Sequence, residues 1–212
     1  MVPGTTILRP MRWFWRTPAP HPNLRELKAL RCCITASRRA AIEHWFLDGA
    51  ATREELAERL SQLNWYNHGA GGSDPFTELV LNTPVGEMEP SLLLEAHWRG
   101  ETGGSIAWAL GLLDLIPSVS QRIPAGQLER FFPLQDRPPA TTTRARLRDL
   151  DAITAELAAW KQELGLARAR RERAGPIDEQ AAFEFSRAYE RTRGLVWVLS
   201  DLPLIEDTPM ND

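Results

Sequence analysis

Charged residues inside two strongly apolar segments are the first candidates for chemistry in this sequence. Arg99 and Glu101 lie in one such segment, and Glu190 and Arg191 lie in the middle of another. Charges that are buried in a helical core must pair, because an isolated buried ion is very costly. The pattern predicts a buried polar network, which is either a structural ion network between two helices or, alternatively, a polar pocket walled by tryptophan. Its predicted members are Arg99, Glu101, Arg187, Glu190 and Arg191.

One pair within this network is predicted specifically. Glu101 lies about one turn before an apolar, tryptophan-containing run, and Arg191 lies about two turns before Trp197. If the two tryptophan faces meet, Glu101 pairs with an arginine of the last helix, with Arg191 the best candidate and Arg187 the next. The same reasoning predicts that Trp108 and Trp197 are nearly fully buried.

The spacing of His97 and Glu101 places them on one helical face, where they could hold a metal ion. No third ligand lies nearby, so an ordinary hydrogen-bonded pair is the preferred interpretation and no metal site is predicted. The sequence also lacks a phosphate-binding loop with its lysine, a GxSxG segment and an HExxH segment. These absences argue against several large classes of enzyme, and no catalytic residue and no cofactor are predicted.

Charge is distributed unevenly along the 212 residues, although the net charge is only −3. Residues 1–40 carry eight basic residues against Glu26 alone, so the rest of the chain is strongly acidic. An acidic body argues against direct nucleic-acid binding over the main surface. It permits either a basic head that folds back onto the acidic body or an acidic face that meets a basic partner. The acids expected to contact that partner lie in predicted loops: Asp74, Glu78, Glu87, Glu89 and Asp136.

The two cysteines, Cys32 and Cys33, are adjacent, which disfavours a disulfide between them and leaves too few thiols for a four-cysteine zinc site. They are interpreted as small buried apolar side chains of a protein in a reducing compartment. The N-terminus lacks the continuous apolar core of a secretory signal, and no apolar run is long enough to span a bilayer. A cytoplasmic location without membrane association is therefore expected.

Apolar residues recur at helical spacing with almost no strand-like alternation, which predicts an all-α fold. We expect a single-domain bundle of six to eight helices with an extended, proline-rich N-terminal arm. The arm covers 1–22, the helical domain 23–203, and an acidic, mobile tail 204–212.

Local signals predict where the helices begin and end. Asn23 is expected to cap a first helix, with a second helical stretch at 37–47, and Thr52 with Glu55 forms a capping-box pattern. A long apolar helix is predicted over 91–115, in which Gly103 and Gly104 either kink the helix or allow a close approach.

Two further helices follow in the C-terminal half. A helix over 143–173 carries a seven-residue apolar repeat, which is interpreted as a core-facing stripe and alternatively as a seam between copies of the chain. Asp178 is predicted to open the last helix.

Two segments resemble a known family. The letters WRGE at 98–101 are followed by IAWALGLLDLIP at 106–117, and ERTRGLVWVL occupies 190–199. These segments are similar to the bacterial domain-of-unknown-function 4272 family, over roughly residues 85–200. Thr192 and Val196 stand where that family tends to have histidine and asparagine. The resemblance implies an all-helical fold without an agreed activity, and some toxin-neutralising immunity proteins are similar to such chains in size and character.

Three functions follow as hypotheses. The first is a non-enzymatic interaction protein, most concretely a cytoplasmic immunity protein that masks a secreted toxin with its acidic surface. The second is an enzyme or small-ligand-binding protein that uses the arginine and glutamate network with tryptophan walls. The third is a homo-oligomeric structural protein that associates through the seven-residue stripe.

Overall fold

The computed structural model describes residues 22–68, 74–124, 127–128, 130–131 and 144–210. The fold is all-α, and the described residues form six helices and no strand. The predicted N-terminal arm, apart from Pro22, lies outside the described residues. The helices are α1 (Leu24–Leu47), α2 (Arg53–His68), α3 (Pro75–Asn82), α4 (Pro90–Ala109), α5 (Leu150–Ala174) and α6 (Glu179–Val198).

Helix starts follow the capping signals in part. Thr52 and Glu55 form the expected reciprocal pair, since the Thr52 amide donates to Glu55 at 2.8 Å and the Glu55 amide donates to the Thr52 hydroxyl at 3.2 Å. Asn23 occupies the N-cap position of α1 as expected, but its side chain makes no capping bond and instead donates to the Ala145 carbonyl at 3.3 Å. The stretch 37–47 is not a separate helix but the second half of α1.

Both long helices of the middle region are shorter than predicted. α4 ends at Ala109 rather than near 115, because Gly111 takes a left-handed conformation with φ of 67°. α5 begins at Leu150 rather than 143, capped by the Asp149 carboxylate. The residues before it are drawn to the end of α4, where the Arg148 amide donates to the Ala109 carbonyl at 2.8 Å. The backbone before Leu150 therefore pairs with the end of α4 instead of extending α5.

Helix α4 lies at the centre of the bundle and packs against both α1 and α6, while α5 packs against α6. Glycines set the spacing at these contacts. A methyl group added at Gly103 would lie 2.9 Å from the Cys33 side chain, and one at Gly194 would lie 2.8 Å from the Thr102 carbonyl. Of the two expectations for Gly103 and Gly104, close approach is therefore the one realised within the continuous helix.

The core is rich in tryptophan. Trp108 and Trp197 are buried as predicted, with 8% and 1% of their surface exposed. The α5 stripe is also core-facing, since Ile153, Trp160 and Ala167 are all buried in the same apolar cluster. The other line of the repeat is less buried, since Leu157 and Leu164 pack partly against this core and Leu150 is 59% exposed.

The described part of the C-terminal tail, 204–210, is not the mobile segment that its acidic composition predicts. Ile205 is buried in the main core, and Arg193 donates from Nε to its carbonyl at 3.3 Å. Glu206 forms an ion pair with Arg99 of α4. Residues 204–210 therefore pack against the bundle.

In the part of the chain that the structure describes, none of the helices combines the length and the apolarity that crossing a bilayer would require.

Two helical glycines provide a matched test of the α4–α6 contact. Gly194→Ala would press a methyl group against the Thr102 backbone and should lower the free energy of unfolding by about 1 to 3 kcal/mol. Gly165→Ala in α5 meets no atom within 4 Å and should raise it by roughly 0.5 to 1 kcal/mol, because alanine is the better helix former. Chemical denaturation of both variants measures the difference. Equal effects would contradict the close packing assigned to Gly194.

Candidate functional site

The predicted pair of Glu101 and Arg191 lies in the interior, between α4 and α6. Arg191 donates from Nε and Nη2 to the same Glu101 oxygen, Oε2, at 2.9 and 2.7 Å. Arg191 is completely buried and Glu101 is 5% exposed. The guanidinium also lies 5.1 Å from the ring centroid of Trp160. Burial makes this ion pair strong once formed and makes the loss of either partner costly.

The remaining donors of Arg191 hold the loop that follows α4. Nη1 donates to the carbonyls of Pro117 and Ser118 at 2.6 and 3.0 Å, and Nη2 donates to the Gln121 carbonyl at 2.7 Å. The second carboxylate oxygen of Glu101 accepts from the Ile123 amide at 3.3 Å. Both charged groups are thus occupied by each other and by backbone, an arrangement that fits the structural ion network.

Arg187, the second-choice partner, does not form an ion pair with Glu101. Its Nη1 donates to the Val119 carbonyl at 2.8 Å, so it holds the same loop as Arg191. The side chain is buried, and this desolvation lowers the pKa of Arg187 below its ordinary value.

The other two predicted members form a separate cluster around the C-terminal tail. Glu190 accepts a hydrogen bond from the Thr102 hydroxyl at 2.7 Å, and burial raises the pKa of the Glu190 carboxyl. Arg99 pairs with Glu206 and, at 3.3 Å, with Glu95. Its guanidinium lies 4.3 Å from the ring centroid of Phe76 in α3. The predicted network is therefore two clusters on different sides of α4.

A further buried ion pair was not predicted from the sequence. Arg39 and Glu43 in α1 are 0% and 1% exposed, and Nη1 of Arg39 lies 2.8 Å from Oε2 of Glu43. The other Glu43 oxygen accepts from the amides of Gly86 and Met88 at 2.8 and 3.4 Å, and Arg39 donates to the Thr83 carbonyl at 2.9 Å. The spacing of four residues was the one signal available. The pair thus holds the loop between α3 and α4 through hydrogen bonds to its backbone.

The predicted acids lie mostly around that loop. Asp74 is not a loop acid but the cap of α3, where it accepts from the Thr77 amide at 2.7 Å. Glu78, in the first turn of α3, and Glu87 and Glu89, in the loop, are exposed. Asp136 lies outside the described residues.

We call residues 74–95 the acidic segment. It contains five carboxylates and no lysine or arginine. Its negative charge is therefore neutralised only from other parts of the chain, as where Arg99 pairs with Glu95.

The histidine and cysteine candidates have structural surroundings. The His97 ring packs edge-on against Trp98 at 5.5 Å, while Glu101 is engaged by Arg191 and the Ile123 amide, so the expected hydrogen-bonded pair of His97 and Glu101 does not form. Among the residues that the structure describes, no group of three or more potential ligands could hold a metal ion. Both cysteines are free and buried as expected, and burial raises the pKa of Cys32 to about 11.

Removing the charge of Glu101 should destabilise the fold strongly. Glu101→Gln leaves Arg191 buried without its counter-ion, and we expect a loss of about 3 to 5 kcal/mol in the free energy of unfolding. The control Glu87→Gln changes an exposed side chain and should stay within about 0.5 kcal/mol of the original protein. Urea denaturation compares the two, and a small loss in Glu101→Gln would mean that the pair contributes little.

The same substitution at Glu190 should act in the opposite direction. Because the pKa of Glu190 is raised, the folded state binds its proton more tightly than the unfolded chain does, and stability falls as pH rises above the ordinary carboxyl range. Glu190→Gln keeps an acceptor for Thr102 and should raise the free energy of unfolding at about pH 8, with the gain disappearing near pH 4. A destabilised variant at pH 8 would show that the charge of Glu190 is needed.

No family model, no curated protein and no solved structure was found to match this chain. The resemblance to the domain-of-unknown-function 4272 family stays a prediction from its two motifs.

Proposed function

We propose that this chain is a non-enzymatic interaction protein that uses the acidic segment to bind a basic surface on a protein partner. Its most concrete form is a cytoplasmic immunity protein that binds and neutralises a cognate secreted toxin. The observation that carries the proposal is a surface segment with five carboxylates and no lysine or arginine of its own, whose loop is held by a fully buried ion pair.

The cost of that ion pair supports a role for the loop conformation. Taking Arg39 and Glu43 out of water is expensive, and a pair of apolar side chains would often stabilise a core equally well. What the charges add is directional hydrogen bonding to the backbone at Thr83, Gly86 and Met88. A binding loop held in its bound conformation loses less entropy on association, which increases affinity.

The charge pattern indicates the chemistry of the partner. Glu87 and Glu89 are exposed near neighbours, and their mutual repulsion is relieved when lysine or arginine side chains approach. Complementary charge also accelerates association and excludes acidic competitors. Next to Glu78, Leu79 is 56% exposed and offers an apolar contact within the charged surface. A basic cleft, such as one that normally holds phosphates, fits this description.

The alternatives have weaker support. For a ligand pocket or an enzyme built on the buried network, Glu101 and Arg191 would need free polar atoms, but these are bonded to each other and to backbone. An oligomer built on the α5 stripe would need an exposed apolar face. Three of the stripe's residues are buried in the chain's own core, Leu157 and Leu164 are partly covered, and Leu150 is its exposed member.

The proposal is tested by separating folding from binding. In Glu78→Gln/Glu87→Gln/Glu89→Gln three exposed charges are removed, so the melting temperature should change little while affinity for the partner falls by at least about tenfold. The matched control Glu172→Gln/Asp201→Asn/Asp207→Asn removes the same charge from exposed sites elsewhere and should bind normally.

The partner is sought by affinity capture from the native host with the neighbouring gene co-expressed, and its affinity is then measured at low and high salt. The triple variant should also show a weaker salt dependence and lose protection against the toxin. Equal affinities of the two triple variants would refute the role of the acidic segment. Recovery of no partner would count against an interaction protein altogether.

A further inference from the structure

Four basic side chains from four different parts of the chain lie close enough to act on one another's charge. They are His44 at the end of α1, His97 in α4, Arg122 in the loop after α4, and Arg187 in α6, and we call them the cationic cluster. The rings of His44 and His97 have centroids 5.7 Å apart at an interplanar angle of 88°. None of the four belongs to the acidic segment.

An aromatic wall adjoins the cluster. Trp98 follows His97, and the centroids of their rings are 5.5 Å apart. The ring of Phe183 in α6 packs on the Trp98 ring, with a centroid distance of 6.0 Å. Trp98 is itself buried, with 7% of its surface exposed, and Phe183 is half-buried.

Arg187 is buried without adequate compensation. It is 6% exposed, its Nε has no hydrogen-bond partner, and within the described residues no carboxylate lies at ion-pair distance from it. The two acids that act on its charge, Glu101 and Glu184, are already engaged by Arg191 and Arg170. A buried guanidinium with an unused donor is unfavourable and is expected to attract an anion.

The other members lack negative partners as well. In the described part of the chain, neither Arg122 nor His97 forms an ion pair, and Arg122 is exposed to solvent. The pKa of His97 is lowered to about 4, first by burial and then by the positive charges of Arg122, His44 and Arg187. The positive charges of the cluster therefore disfavour protonation of His97.

We propose that the cationic cluster binds a phosphate group of a small soluble molecule, with Arg122 and Arg187 as donors of charged hydrogen bonds. A guanidinium presents a fork of N–H groups that matches phosphate oxygens. Two guanidinium groups carry two positive charges, so they match a phosphate dianion better than they match a single carboxylate. With the anion bound, His97 becomes able to carry a proton. The half-buried Phe183 provides an apolar flank for the rest of the molecule. This site is independent of the proposed partner-binding function.

The experiment titrates the full chain with inorganic pyrophosphate at constant ionic strength near pH 7, by calorimetry and by NMR of the histidine ring protons. Binding should be saturable, and the pKa of His97 should rise by about one unit or more, because a nearby anion favours the charged imidazole. His97→Gln assigns the resonance. Unchanged titration of His97 at saturating pyrophosphate would overturn the assignment of the site.

Matched arginine variants locate the binding. Arg122→Gln, at an exposed position, should keep its melting temperature and bind pyrophosphate about tenfold more weakly, the loss expected for one charged hydrogen bond. Arg173→Gln, also exposed, should bind like the original chain. Equal weakening in both variants would show nonspecific attraction and overturn the proposal.

Two further arms test the class of ligand. Citrate at the same ionic strength should bind more weakly than pyrophosphate, and vesicles of phosphatidylglycerol should not sediment the protein. Citrate binding as tight as that of pyrophosphate would overturn a phosphate site in favour of general anion binding. Vesicle binding without pyrophosphate binding would overturn the small soluble ligand.

Discussion

The ion pair between Glu101 and Arg191 is the interaction on which most of the bundle depends. It joins α4, the central helix, to α6, and its spare hydrogen-bonding groups hold the loop 117–123 against both. These two charges are stable in the interior, away from water, because almost every donor and acceptor has a partner. The close approach at Gly194 belongs to the same contact, since α6 must come near α4 for the short ion-pair distances to form. Packing and charge pairing therefore depend on each other.

Other arginines of the molecule also hold the backbone by donating to its carbonyl groups. Arg25 donates to the carbonyls of Trp197 and Ser200 at the end of α6, and Arg148 donates to those of Trp108 and Leu113 after α4. The last carbonyls of a helix lack partners within the helix, and the helix dipole favours a cation there. One guanidinium can satisfy several of them because it has five donors in a plane. The loops and helix ends of this protein are thus held by side chains distant in sequence.

This use of arginine also explains which parts could be predicted from sequence. Apolar spacing predicts the all-α fold and the buried stripe of α5, and charges within apolar segments predict the pairing of Glu101 with Arg191. Arg148 shows the limit. Its own helical propensity favours a longer α5, but its amide and guanidinium bind carbonyls near the end of α4, some 40 residues earlier. A local pattern contains no information about such partners.

The tail shows the same limit in the candidate sites. Residues 204–210 are acidic and predict a solvated segment, yet Glu206 neutralises Arg99, which lies 107 residues earlier in the chain. Likewise, the charges of Arg39 and Glu43 are typical of an exposed helical pair, and only the backbone groups of 83–88 explain their burial. In each case the decisive partner is a backbone group or a charge contributed by tertiary structure.

The distribution of charge compensation distinguishes the buried network from the two surfaces proposed to bind. Glu101 and Arg191 satisfy each other, so they stabilise the fold and leave little for a ligand. The acidic segment contains no basic residue of its own, and the cationic cluster places Arg187 in the interior without a counter-ion. Self-repulsion at either place costs stability that the chain could recover by a single charge substitution. A charge that its own neighbours do not fully neutralise can be complemented by a partner or an anion. The bundle holds both places rigidly, because the buried pair of α1 fixes the loop of the acidic segment and because α1, α4 and α6 each contribute to the cationic cluster.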